Sequence, residues 1–187
     1  MIYYIKNMVC DRCITAVNSI FKEMGYSPIK TKLGEVELDE LIQDEKYLLV
    51  KGKLNESGFE LIDDHKSQII EKIKTVIINH IYYKKDDYRE NYSTLIESEL
   101  GRDYNYLSNL FSSIEGITIE KYIILQKIEH VKELLVYDEL TLSEISDRLG
   151  YSNVAYLSNQ FKKITGLTPT HFKEIKDKKR KPLDKIH

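Results

Sequence analysis

The chain of 187 residues has no tryptophan, three prolines, eight glycines and two cysteines. Two thiols are too few for a four-thiolate zinc centre. No apolar run approaches the ~20 residues that a membrane-spanning helix requires. The opening MIYYIKNMVC lacks the long apolar core and small-residue cleavage site of a signal peptide, so a cytoplasmic protein with no membrane partner is expected. No nucleophile elbow, P-loop, dinucleotide fingerprint or metalloprotease motif occurs, which leaves an enzyme reading little to stand on. The five histidines, at 65, 80, 130, 171 and 187, include no pair at H-x-x-x-H spacing. Excess positive charge is also missing, because the formal net charge is −2.

The distribution of that charge is more informative than its sum. Residues 1–63 carry 8 Lys/Arg against 11 Asp/Glu, and residues 64–140 carry 10 against 14. Residues 141–187 carry 10 against 5, so the positive charge is collected at the C-terminal end. A hydrophobic content of 42% is enough for packed cores, and the length suits one or two domains.

The most structured stretch of sequence is Thr141 to Phe172. Thr141 followed by Glu144 forms a capping-box pattern, and Ile145, Leu149, Val154, Leu157, Phe161 and Ile164 fall near helical spacing. Gly150 interrupts the run, and Ser152 or Asn153 can cap a second helix beyond it. Helix, tight turn, helix is the pattern of a helix-turn-helix unit. The unit occurs twice: Tyr106-Leu107-Ser108-Asn109-Leu110-Phe111 recurs 50 residues later as Tyr156-Leu157-Ser158-Asn159-Gln160-Phe161, and Gly116-Ile117-Thr118 as Gly166-Leu167-Thr168. Between the copies, Ile119 to Val136 reads as a long amphipathic helix, about 27 Å at 1.5 Å per residue. Tyr92 to Leu100 is the first helix of the first copy, and His65 to Lys84 is a further amphipathic helix before it. Lys84 to Asn91 is a polar loop. Tyr106, Tyr122 and Tyr156 fall where packing is expected and read as core.

The doubled unit, the joining helix and the ending GYSNVAYLSNQFKKITGLTPTHFK resemble the DNA-binding domain of AraC/XylS-type transcription regulators, over roughly Lys66 to Lys176. The resemblance implies an all-α domain whose second helices enter the major groove. The family's base-reading positions fall on Asn105 and Asn109 in the first copy, and on Val154, Ala155 and Asn159 in the second; Ser108 and Ser158 share those helix faces. Asn can bond adenine bidentately, while Ala and Val can pack on a thymine methyl. Arg, the usual guanine reader, is missing from these positions, so A·T-biased half-sites about 10 bp apart are expected. Ser152, Lys162, Lys163 and Lys173 are placed for phosphates. The alternative is that these lysines form a solvated face. The first copy, with Glu97, Glu99, Asp103 and Glu115 nearby, is expected to touch DNA loosely or not at all.

Residues 1–63 read as β-α-β-(β)-α-β, an α+β domain. Its elements are a strand at Ile2–Ile5, a helix at Ile14–Met24, one bent or two short strands from Ile29 to Leu38, a helix at Asp44–Glu56 and a last strand at Gly58–Ile62. Met8-Val9-Cys10-Asp11-Arg12-Cys13 and the Gly58-Phe59 pair resemble the ferredoxin-like heavy-metal-associated domain of copper chaperones and metal-pumping ATPases. That family usually has Gly before the Met, where this chain has Asn7. Thiolates at C-x-x-C spacing opening a helix suit Cu(I) or another soft metal ion. A reduced structural pair and a redox dithiol–disulfide switch stay open as alternatives.

The expectation is therefore a ferredoxin-like domain over 1–63, a double helix-turn-helix domain over 64–176 and a basic tail over 177–187. The function expected is a sequence-specific DNA-binding transcription regulator that responds to metal or redox state and works with double-stranded DNA and with RNA polymerase or another protein. The alternative is a metal-trafficking or protein-interaction protein whose helical half is a docking module.

Overall fold

The computed structural model describes residues 1–62, 64–83 and 91–179. Residues 84–90 of the polar loop expected over Lys84 to Asn91, and the tail from Arg180 onward, lie outside them. The chain divides into two compact units, one of Met1–Ile78 with Tyr92–Ile114, the other of Asn79–Asn91 with Glu115–His187.

In the first unit, β1 (Ile2–Lys6), β2 (Pro28–Lys32), β3 (Glu35–Leu38) and β4 (Glu60–Ile62) form a four-stranded sheet in the order β2-β3-β1-β4. β1 is antiparallel to both β3 and β4, and β2 is antiparallel to β3. With α1 (Asp11–Glu23) and α2 (Asp44–Glu56) as crossovers, this is the ferredoxin-like arrangement. The stretch that could have been one bent strand is a hairpin, because Gly34 takes the left-handed φ of +78° that its turn needs. A side chain there would also collide with Thr75, whose Oγ1 lies 2.9 Å from where its Cβ would be.

The period-2 alternation sorts the two sheet faces. Ile5, Val36, Leu38 and Leu61 join Val17, Phe21, Val50 and Leu54 of the crossover helices in the core, nearly all without exposed surface. On the opposite face, Tyr4 and Glu35 are register partners. There α3 (His65–Ile78) lies against β1: Lys72 is 3.7 Å from Glu35 and 4.7 Å from the Tyr4 ring centre. α3 also packs on α4 (Tyr92–Leu100), which leads to α5 (Tyr104–Glu115).

The second unit begins with a π-helical turn, Asn79–Tyr83, where the sequence predicted uninterrupted helix to Lys84. The Tyr82 ring lies 4.4 Å from that of His130 on α6 (Ile119–Tyr137), and its hydroxyl donates to the Gln126 carbonyl at 3.5 Å. Burial, followed by the charges of Glu133 and Glu129, raises the Tyr82 pKa to about 12. α6 starts at Thr118, whose hydroxyl accepts from the Lys121 N–H, and ends at Asp138 in the left-handed region. α7 (Leu142–Arg148), α8 (Val154–Thr165) and α9 (Pro169–Lys179) complete the unit. α9 runs to Lys179, so helix extends into the first residues of the stretch expected as a basic tail.

Candidate nucleic-acid interface

α7 is a helix of seven residues, too short to hold itself together in water. Its first turn is closed by the capping box read from the sequence. The Thr141 hydroxyl accepts from the Glu144 N–H at 3.3 Å, and the Glu144 carboxylate accepts from the Thr141 N–H at 2.7 Å. The Thr141 hydroxyl, which also donates to the Glu144 carboxylate at 2.7 Å, and then the Thr141 N–H hold the Glu144 pKa below the usual carboxylate value. At the other end Gly150 turns the chain with a φ of +68°. Lys127 reaches across from α6, donates to the Leu149 carbonyl at 2.7 Å and sits 5.4 Å from the centre of the Tyr151 ring. Burial lowers the Lys127 pKa. Asn153 then caps α8, its side-chain oxygen accepting from the Tyr156 N–H at 2.8 Å.

α8 buries Leu157 and Phe161 completely, and Phe161 meets Phe172 of α9 edge-on at 5.5 Å. At about 100° per residue, the opposite side is centred on Asn159, with Ala155 and Lys162 on one flank and Tyr156 and Lys163 on the other. All five are exposed. Ser152 is exposed in the turn, whereas Val154 and Ser158 are half-buried at the margin. Lys173, expected to meet phosphate, is paired with the Asp138 carboxylate at the end of α6. The second copy thus presents a polar stripe with two cations on a helix fixed by an apolar stripe, a surface suited to a polyanion with readable polar edges.

α5 repeats the geometry. Leu107 and Phe111 are fully buried, Leu110 is half-buried, and Asn105 and Asn109 are exposed, with Ser108 and Ser112 at the margins. Its first turn is held by two carboxylates: Glu97 of α4 accepts from the Tyr104 N–H at 2.7 Å, and Asp103 accepts from the Tyr106 N–H at 3.0 Å.

The tyrosines require a correction. Tyr106 and Tyr156, predicted as core, are 45% and 54% exposed, while Tyr122 is half-buried. Each exposed tyrosine immediately precedes the buried leucine of its helix, and one residue of helix turns it out of the apolar stripe. The buried pair at i and i+4 was the signal that could have placed them.

In the first unit, Cys10 is the residue before α1, and its sulfur lies 3.4 Å from that of Cys13. Hydrogen bonding from the Cys13 backbone, then from the Cys13 side chain, lowers the Cys10 pKa. Met8 is buried. Asn7 adopts a φ of +71°, the conformation that favours glycine, and its amide donates to the Gly58 carbonyl at 2.9 Å. Among the described residues no group of three or more His, Cys, Asp or Glu side chains is gathered as a metal cluster.

Comparison with known proteins agrees with the helical geometry. Residues 97–175 match the family model described as a helix-turn-helix domain. The chain is 35% identical over 71 residues to the transcriptional regulatory protein YesN of Bacillus subtilis (strain 168), covering 37% of this chain and 19% of YesN. It is 27% identical over 124 residues to a helix-turn-helix-type transcriptional regulator encoded in the cgkA 5′ region of Pseudoalteromonas carrageenovora, covering 66% of this chain and 74% of that protein. A match of that length reaches upstream of residue 97. Among solved structures, the C-terminal domain of AraT, a response regulator from Geobacillus stearothermophilus, shares the fold with a TM-score of 0.53 and 23% identity, covering 66% of this chain and 95% of that one. The chain thus joins a βαββαβ antiparallel-sheet domain to an all-helical region that matches a helix-turn-helix family model over residues 97–175. It spans only about a fifth of the length of YesN.

Proposed function

We propose that the chain is a sequence-specific DNA-binding transcription regulator, not an enzyme. The observation that carries this reading is the exposed face of α8, where Asn159 stands between lysine-bearing flanks on a helix anchored by Leu157 and Phe161. α8 enters a major groove, Asn159 and Ala155 meet base edges, and Lys162 and Lys163 meet phosphates. α5 offers Asn105 and Asn109 to a second half-site about 10 bp away, and both sites are A·T-rich. RNA polymerase or another protein is the partner through which binding becomes regulation. On this reading the functional domains are 1–63 and 64–176, followed by a basic tail over 177–187. Selection from a random duplex library with the full chain tests the reading. An enriched A·T-biased motif with two half-sites is expected; no enrichment, or a G·C-rich motif, contradicts it.

A second reading concerns Cys10 and Cys13. Two thiols 3.4 Å apart, one of them acidified, form a donor pair that fits a two-coordinate soft cation such as Cu(I) better than a four-coordinate zinc ion. The same pair could close as a disulfide given an oxidant. The N-terminal domain then senses metal or redox state; in a trafficking protein it would carry the metal instead. An anaerobic Cu(I) titration of the reduced chain against a competing chelator tests the metal site. One-to-one binding lost in Cys10→Ser/Cys13→Ser supports it, and no binding beyond that control discards it; a change in duplex binding on adding Cu(I) then separates sensing from trafficking.

A further inference from the structure

We infer that Tyr106 and Tyr156 grip the DNA backbone, as equivalent residues of the two helix-turn-helix units, and that Arg102 supplies the cation the first unit otherwise lacks. The inference rests on the DNA-binding reading above. Both tyrosines are largely solvent-exposed, although the apolar pattern would have allowed a buried ring one position further along. The same exposed phenol recurs at the same place 50 residues apart, on the flank of each helix that also bears its exposed asparagine.

Each ring also has a neighbour on its own unit. The Arg102 guanidinium lies 5.9 Å from the centre of the Tyr106 ring, and the Tyr151 ring lies 6.1 Å from that of Tyr156. Arg102 is exposed and sits in the turn between α4 and α5, so its fork can reach a phosphate while it lies over the ring. On α8 the tyrosine shares its flank with Lys163; on α5 the equivalent flank carries Ser113. The flank of a recognition helix lying in a groove faces one sugar–phosphate wall. A phenol there donates its O–H to a phosphate oxygen, and its ring packs on deoxyribose. Tyr156 with Lys163, and Tyr106 with Arg102, are then two versions of one clamp, with the cation moved from the end of the helix to the turn before it.

The test uses the full chain and a duplex enriched by selection. Tyr156→Phe should weaken binding about fivefold on the selected duplex and on a random duplex alike, and Tyr106→Phe about threefold. Each should remove one phosphate from the ethylation-interference pattern. Arg102→Gln should lower the slope of log affinity against log salt by about 1. Tyr→Ala at the same sites should weaken binding further, with thermal midpoints unchanged because both rings lie outside the core. Binding within twofold of wild type for all Phe and Ala variants, with unaltered interference patterns, would overturn the inference while leaving the DNA-binding reading intact. A wild-type chain that enriches no duplex overturns both.

Discussion

In α5, Leu107 and Phe111 have no exposed surface, and in α8 neither do Leu157 and Phe161. Asn109 and Asn159 stand at the centre of the opposite side in both helices, and Tyr106 and Tyr156 lie beside them. The interiors have been kept, while the electrostatics have diverged. α8 is capped by the neutral Asn153 and carries Lys162 and Lys163 near its end. α5 has Ser112 and Ser113 at the equivalent positions, no lysine or arginine of its own, and Glu97 and Asp103 at its first turn. Carboxylates at a helix N-terminus neutralise the partial positive charge that would otherwise favour a phosphate. On the proposed DNA-binding reading, this difference assigns α8 to holding the polyanion and α5 to inspecting it without adding much affinity.

The comparison can be broken in several places. The largest effect is expected from Lys162→Ala/Lys163→Ala, which should weaken binding to every duplex about tenfold or more and reduce the salt slope by nearly 2. Ser112→Ala/Ser113→Ala should stay within about twofold; fluorescence anisotropy at several salt concentrations reads both. Next comes Asn159→Ala. Loss of a bidentate base contact should reduce discrimination between selected and random duplex by about 1–3 kcal/mol, with Asn109→Ala lower in that range. Glu97→Gln should act in the opposite direction. Removing one charge from the first turn of α5 is expected to tighten binding about threefold, within the 0.3–1 kcal/mol typical of such terminal charges. An unchanged or weaker affinity would show that Glu97 serves capping alone.

A smaller effect concerns the scaffold of the second copy. His130 is buried, with Nδ1 3.0 Å from a Glu133 carboxylate oxygen, and burial outweighs that carboxylate to lower its pKa. A histidine with a depressed folded-state pKa binds its proton more readily when unfolded. Stability therefore falls as pH drops below about 6.5, the value of a free imidazole, toward the lowered folded value. Denaturant midpoints between pH 7.5 and 5 should show this loss, and His130→Gln should flatten part of it. Thr141→Ala should cost about 1 kcal/mol by removing half of the capping box, with no change in sequence preference.

Much of this is legible in the sequence alone. The repeat at 50 residues, the capping box and the glycine turns are local signals, and each appears where its chemistry requires. The β2–β3 hairpin was blurred because short strands around one glycine carry little periodicity. The π-helical turn at Asn79–Tyr83 leaves no mark in the apolar pattern, because adding one residue to a turn preserves composition. Tyr106 and Tyr156 were misplaced for a related reason. An aromatic next to a buried leucine looks apolar in any window, and only the orientation of the helix shows that it faces out. The Lys173–Asp138 pair joins residues 35 apart, and no local pattern could have revealed it. Asn7 is a further case: its left-handed φ of +71° favours glycine, and nothing in the local apolar pattern marks it.

The most direct measurement places the same two negative charges on each copy in turn. Lys162→Glu/Lys163→Glu and Ser112→Glu/Ser113→Glu would be titrated against one selected duplex at one salt concentration. The account predicts that the first variant loses binding altogether, while the second retains it within about tenfold and keeps the motif preference of the wild type. Equal losses, or a greater loss from the substitutions in α5, would contradict the assignment of α8 as the anchoring helix.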